Sequence, residues 1–260
     1  EGAVDELPHE AELENDPPSL GVTAPRHLVG GAPDLTVPDQ PINIDGRYHV
    51  FPARPIPELD SPSARAYEAV DRQDSQIHLM ALVPLPGIPV RRGEIDEIMG
   101  HEIPGILPLM DTGIVDWPHF GRQALVLLFE RPLGGRVVSV FKSDLPDFKK
   151  VDVARALVDA VLKALRQLAS RGLVHHAIRP DNLFFLDEAQ TQIVVGEFVS
   201  APPSFDQPVA FETIERAMAA EAGRGRGSES DDLYSFGATL AFLVQNHNPA
   251  RGMTKEDLIL

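Results

Sequence analysis

The stretch that most constrains the fold is Leu173–Phe198, L-V-H-H-A-I-R-P-D-N-L-F-F-L-D-E-A-Q-T-Q-I-V-V-G-E-F, read with the segment before it. Val153, Leu157, Val161, Ala164 and Leu168 recur at three- and four-residue steps, which predicts an amphipathic helix over Val151–Arg171. Gly172 follows where a helix-ending left-handed residue belongs. After the polar loop come a Pro180-Asp181-Asn182 turn and two short apolar runs, Leu183–Leu186 and Ile193–Val195, spaced as a buried hairpin. The helix would be the central pillar of a C-terminal lobe, with the loop following it directly.

This order of helix, loop, hairpin and acidic loop resembles the catalytic and magnesium-binding loops of the protein-kinase fold. His175-His176-Ala177 stands where that family carries His-Arg-Asp, and Ile178-Arg179-Pro180-Asp181-Asn182 follows as Leu-Lys-Pro-Glu-Asn does. In the kinase mechanism the Asp accepts the substrate hydroxyl proton and the Asn holds a magnesium ion. Asn182 is retained, but the proton acceptor is replaced by Ala177, whose methyl group has no basic site. Glu197-Phe198-Val199 fits Asp-Phe-Gly, while a shorter hairpin would put Gly196 at the metal position; either reading removes the Asp. The added methylene of Glu197 displaces its carboxylate from what octahedral magnesium demands.

The resemblance extends to both sides. Ile42/Ile44 and Tyr48/Val50 alternate around Asp45-Gly46, predicting a hairpin near where a kinase has its glycine-rich phosphate lid, yet no glycine triplet is present. Ser61-Pro62 reads as a cap and first turn of a helix over Ser61–Asp74. Ile77–Val83 reads as a buried strand, and aligning Met80-Ala81-Leu82-Val83 with Val-Ala-Ile-Lys puts Val83 at the phosphate-pairing lysine. No lysine occurs in residues 1–140, so the loss does not depend on that register. Arg91–His101 is a helix candidate with Ile95, Ile98 and Met99 on its apolar face; Glu94 or Glu97 would be the carboxylate left without a lysine partner. Ile106–Leu109 and Ala124–Glu130 are further strand candidates, the second placing Phe129 at the back of a nucleotide pocket and Glu130 at the hinge. Downstream, Ala219-Ala220-Glu221 stands for Ala-Pro-Glu, and G-R-G-R-G at 223–227 reads as a loop whose arginines are an alternative anion site. Asp232-Leu233-Tyr234-Ser235-Phe236-Gly237 matches the motif whose Asp, in the family, ties a buried helix to the catalytic loop.

Composition narrows the classes. A net charge of −16 with a pI near 4.9 argues against nucleic-acid binding, which needs a basic face. The absence of cysteine excludes disulfides, thiolate metal sites and cysteine nucleophiles. No apolar run is long enough to span a bilayer, and residue 1 opens acidic sequence rather than a signal peptide, though a leader removed by processing stays compatible with this. Residues 1–40 are acidic and Pro-rich and read as an N-terminal extension.

The expected architecture is α+β: a bilobed protein-kinase-like fold with a small β-rich N-lobe over 41–130, lacking a glycine-rich loop, and a helical C-lobe over 131–260 that is either reduced or part of a longer one. The missing lid, the leader and the V-V-G-E-F loop make the chain similar to the secreted rhoptry-type kinases and pseudokinases of coccidian parasites, in the branch without a glycine loop. That resemblance implies secretion to the parasitophorous vacuole or cyst wall and a protein partner, with peripheral association to a membrane or the vacuole matrix. From the residues, no cofactor and no metal are expected, because lid, lysine, base and magnesium Asp are all missing and phosphoryl transfer rests on those parts. The leading expectation is a catalytically inactive interaction or scaffold protein. The alternatives are an atypical enzyme using His175, His176 or Glu197 as base, and a nucleotide-binding switch held by the remnants Asn182 and Glu197.

Overall fold

The structure, a computed structural model, describes residues 40–138, 151–219 and 224–245. The N-terminal extension, Ala220-Glu221 and residues beyond 245 lie outside the described residues. The described residues open with β1 (Ile42–Ile44) and β2 (Tyr48–Pro55), joined by a turn in which Arg47 N–H donates to the Ile44 carbonyl at 3.1 Å. Asp45 and Gly46 both have positive φ (49° and 71°), as the primed hairpin turn requires. β3 (Ala64–Asp71), β4 (His78–Pro84), α1 (Arg92–Ile98), β5 (Leu109–Trp117) and β6 (Arg122–Glu130) follow. They form one antiparallel sheet in the order β1-β2-β3-β4-β6-β5.

Two expectations are corrected here. Ser61–Asp74 is not a helix: Pro62 occupies a tight turn in which Ser61 and Ala64 exchange backbone hydrogen bonds (3.0 and 3.4 Å), and the chain then enters the sheet as β3. β3 alternates as a strand does, burying Ala64 and Ala66 on one face and Tyr67 and Ala69 on the other, while the extra residues of the register shift at Phe51–Pro55 lie on β2. Because both faces are covered, the buried residues of the segment show no clean two-residue period. The strand expected at Ile106–Leu109 starts at Leu109 instead, and Ile106 makes only an isolated bridge to Val195.

The sheet has two apolar faces. Ile44, Tyr48, Val50, Tyr67, Leu79, Ala81, Val83, Trp117, Val126 and Leu128 form one cluster. A side chain at Gly113 would stand 2.7 Å from Ile44, so the two edge strands curl towards each other around that cluster. The other face, with Ala64, Ala66, Met80, Leu82, Leu127 and Phe129, joins a larger core containing Ile95 and Ile98 of α1 and the residues of the C-terminal half. There α2 (Val151–Ala169) lays Leu157, Val161, Ala164 and Leu168 against β9 (Ile193–Val195) and ends near Gly172 at φ 65°. β7 (Gly135–Arg136), β8 (Leu183–Phe185) and β9 make a three-stranded sheet. α3 (Ile214–Met218) and α4 (Glu229–Gln245) complete the described part; α4 buries Asp232, Ser235, Phe236, Thr239 and Leu243 but leaves Leu233, Tyr234 and Val244 exposed.

Candidate functional site

The loop after α2 is fixed from below. Asp232, in the first turn of α4, accepts the backbone N–H of His175 at 2.7 Å and of His176 at 2.8 Å. These bonds hold His176 in the left-handed region (φ 51°), which a histidine adopts only when its surroundings impose it. Both imidazoles are buried, His175 with no exposed surface. His175 Nε2 lies 3.1 Å from the Gly196 carbonyl while Nδ1 accepts the Ala177 N–H at 3.2 Å, a pattern only a neutral ring satisfies. Burial holds His175 down to about 3 and His176 to about 4. Burial conversely pushes the Asp232 carboxyl up to about 6, against the two N–H bonds and Arg91, which favour its charge.

The retained polar residues are engaged by the protein. Asn182 Nδ2 donates to the carbonyls of Ala177 (2.8 Å) and Glu197 (2.9 Å), and its Oδ1 packs so closely on Gly196 that a Cβ there would stand 2.1 Å away. Glu197 turns back on its own loop: Oε2 accepts the N–H groups of Val199 and Ser200 (2.9 and 3.0 Å), and Oε1 accepts the Ser200 hydroxyl at 2.5 Å. Phe198 stacks on His175, with ring centroids 4.6 Å apart, and Gly196 is the close-packed residue before Glu197.

An arginine that sequence reasoning passed over organises this region. Arg91, buried at the start of α1, donates to the carbonyls of Val174 (2.6 Å), His175 (2.8 Å) and Phe198 (3.0 Å) and lies over the Phe198 ring. Glu94 meets Arg91 at 3.3 Å, whereas Glu97 is exposed. The carboxylate expected to lack a lysine partner thus has an arginine, three residues away on its own helix.

The upper wall of the cleft brings two corrections. Val83 belongs to the outer cluster with Trp117 and Leu128, so its side chain points away from the cleft. Strand alternation puts Met80 and Leu82 on the cleft side instead, so the lysine counterpart is an apolar residue one position earlier. The lid position is not the Asp45-Gly46 hairpin either, because β1 is an added edge strand. The connection facing the catalytic loop is 56–63, I-P-E-L-D-S-P-S, between β2 and β3, and it contains no glycine. Ile56 and Leu59 of this connection are buried in the core shared by both halves. Arg136, on β7, clamps it from the opposite side: Nε donates to the Glu58 carbonyl at 2.9 Å, and the terminal nitrogens reach the carbonyls of Asp60 and Asp181.

The linker from β6 to β7 forms the back of the cleft. Phe129 is buried there, paired with Met80. The N–H groups of Glu130, Arg131, Leu133, Gly134 and Gly135 all donate to protein carbonyls, and Pro132 has none. A purine edge placed against this linker would meet no free backbone donor.

Beyond the acidic loop, Ser63 of the lid meets Ser200 at 2.9 Å and Asp206 at 2.5 Å, both in the C-terminal half. Arg216 pairs with Glu212 at 3.0 Å in a buried site and donates to the Ser204 hydroxyl and the Arg224 carbonyl. Arg224 and Arg226, read as a candidate anion site, donate instead to the carbonyls of Ser204 and Gly172. Gly227 (φ 70°) packs where a Cβ would stand 2.2 Å from His176 Nε2.

The structure therefore brings His175, His176, Ala177, Asn182, Glu197 and Asp232 together around one loop and leaves Val83 out. Arg91, Arg136 and the Ser63–Ser200–Asp206 set were not foreseen. A buried arginine facing carbonyls carries no sequence pattern, since its partners are backbone atoms available at every residue.

No family model and no curated protein matches the chain. Among solved structures it is similar to Rad53 residues 1–466 in complex with AMP-PNP, with a TM-score of 0.59 at 15% identity. The match covers 82% of this chain and 52% of that one, so the chain spans about half the length of the protein it resembles. Rad53 is a protein kinase, and the likeness, together with the strand order and the loop–helix tie through Asp232, gives this chain a protein-kinase-like fold.

Proposed function

We propose that the protein is a pseudokinase that does not transfer phosphate and serves as an interaction scaffold. The observation that carries this reading is the glycine-free connection 56–63, whose Leu59 is buried and whose backbone is clamped by Arg136 across the cleft. A phosphate lid works by presenting free N–H groups over a nucleotide; this one fills the space with side chains. Three further features agree. Ala177 has no proton acceptor, the cleft face of β4 carries Met80 and Leu82 rather than a lysine, and Glu197 already accepts three hydrogen bonds within its own loop. The atypical-enzyme alternative requires His175, His176 or Glu197 to reach a substrate; both imidazoles are buried and neutral, and Glu197 is buried with its carboxylate accepting three hydrogen bonds within its own loop. The switch alternative requires Asn182 and Glu197 to be available, and both are engaged by backbone groups.

The test is an assay of ATP turnover and phosphoryl transfer by the purified chain with magnesium or manganese. The expected result is no turnover above buffer; turnover that Asn182→Ala abolishes would overturn the reading. The narrower likeness to the coccidian family without a glycine loop extends it to a scaffold of the parasitophorous vacuole or cyst wall with a protein partner. That extension is carried by the missing glycine-rich lid, the acidic Pro-rich leader and the V-V-G-E-F loop. Imaging of the tagged chain in its source cell tests it, a vacuolar or wall signal being expected and a cytosolic one contradicting it.

A further inference from the structure

The four oxygens that join the lid to the C-terminal half do not have enough hydroxyl protons. Glu197 Oε1 and Ser200 Oγ lie 2.5 Å apart, Ser200 Oγ and Ser63 Oγ 2.9 Å, and Ser63 Oγ and Asp206 Oδ2 2.5 Å. Each of these three contacts is a hydrogen-bond distance and needs its own proton. Ser63 and Ser200 supply one each. The Ser61 hydroxyl, 3.3 Å from Ser63, serves a different contact and does not relieve the shortage. Ser63 and Ser200 are buried, with 0% and 1% of their surfaces exposed, so an unshared oxygen pair at this place carries the full penalty of an unsatisfied polar contact.

We propose that the third proton resides on Asp206, making the lid a proton-gated latch. The chain of donors then runs one way: Asp206 O–H to Ser63, Ser63 O–H to Ser200, Ser200 O–H to the Glu197 carboxylate. It ends on the one acid whose charge is stabilised by two N–H groups, those of Val199 and Ser200. Loss of the Asp206 proton leaves two hydroxyl protons for three contacts and puts a second negative charge near Glu197. The groups facing Asp206 are Ser63 from the lid, Arg179 and Asp181 from the catalytic loop and Glu197 from the acidic loop. Arg179 Nε is bound to Asp181 at 2.9 Å, so the charge of this arginine is shared with a second carboxylate. Burial, Glu197 and Asp181 hold the Asp206 carboxyl above its ordinary value, while Ser63 and Arg179 act the other way. The latch rests on lid closure and is independent of whether the protein lacks catalysis.

The sign follows from the proton count. A carboxyl that binds its proton more tightly in the closed form stabilises closure at low pH, and the contribution is lost as pH rises through its closed-state value. Between the ordinary carboxyl value of about 4 and the closed-state value the opening constant increases by up to about tenfold per pH unit, one proton being released on opening, and above the closed-state value it levels off. The experiment is hydrogen exchange of the backbone amides in 56–66 as a function of pH, corrected for intrinsic rates, on the whole chain. The wild type should lose protection with a slope approaching one per pH unit between the ordinary carboxyl value and the closed-state value, and reach a plateau above it. Asp206→Asn, whose amide donates to Ser63 without titrating, should remove the slope and keep the lid protected. A pH-independent wild type, or an Asp206→Asn variant with the wild-type slope, would overturn the proposal. Carbon NMR of the Asp206 carboxyl gives a readout that needs no variant: retention of the proton above the usual carboxylate range is expected, and titration near the ordinary value of about 4 refutes the latch.

Discussion

Replacing Asp232 by alanine tests whether the catalytic-loop geometry is held by one carboxylate. The side chain is 2% exposed and accepts two backbone N–H groups, from His175 and His176, at 2.7 and 2.8 Å. Alanine leaves both donors buried without an acceptor. An orphaned buried donor costs about 1–3 kcal/mol, so the pair amounts to about 4 kcal/mol. At roughly 2–4 °C per kcal/mol for a domain of this size, the melting temperature should fall by about 8–16 °C. Asp232→Asn keeps one acceptor oxygen but turns an amide N–H towards the other donor, and should lose about 2 kcal/mol or more. Urea denaturation at neutral pH measures both, and amide exchange at residues 175 and 176 reports the local effect. A loss below about 1 kcal/mol for the alanine variant would refute the claim that this carboxylate holds the loop.

Other outcomes follow from the same geometry. Ala177→Asp restores a proton acceptor in name, yet it should not produce phosphoryl transfer, because the lid and Glu197 stay as they are; measurable turnover in that single variant would contradict the reading. Gly196→Ala drives a methyl group to within 2.1 Å of Asn182 Oδ1 and 2.5 Å of Phe184 Cε2, and overpacking of this kind should cost about 1–3 kcal/mol in urea denaturation. Burial keeps His175 at about 3 and His176 at about 4, below the ordinary histidine value, so neither should titrate between pH 5 and 8 in the folded protein. Their contribution to stability is full above the unfolded value near 6.5 and is lost as pH falls towards the folded values; proton NMR of the ring signals checks it, and titration of either near 6.5 would contradict it.

The helix, the loop and the hairpin were legible in the sequence because their signals are local. α2 carries a full apolar stripe closed by Gly172, and the tie from Asp232 to the loop follows from motif spacing, whereas Asn182, read as a nucleotide-binding remnant, is engaged by backbone carbonyls. The upper sheet was less legible. β3 is covered on both faces, so its buried residues follow neither a clean strand nor a helix period. β4 is buried on both faces, and a run such as L-M-A-L-V gives no alternation from which to choose between Leu82 and Val83. The lid was misplaced for a third reason: β1 adds a hairpin ahead of the sheet, and its Asp-Gly turn is the strongest short-range signal in the region. The contacts of Arg136 with the lid and of Ser63 with Ser200 and Asp206 join residues 76 to 143 positions apart, beyond what pattern reading reaches.

The central claim is that the cleft is closed to nucleotide, and a thermal-shift titration of the whole chain with ATP, with and without magnesium or manganese, tests it most directly. A ligand that binds only the folded form adds about 2.7 kcal/mol at a hundred times its dissociation constant. The account predicts an unchanged melting curve at millimolar nucleotide under all three conditions. A metal-dependent rise that Asn182→Ala removes would contradict it.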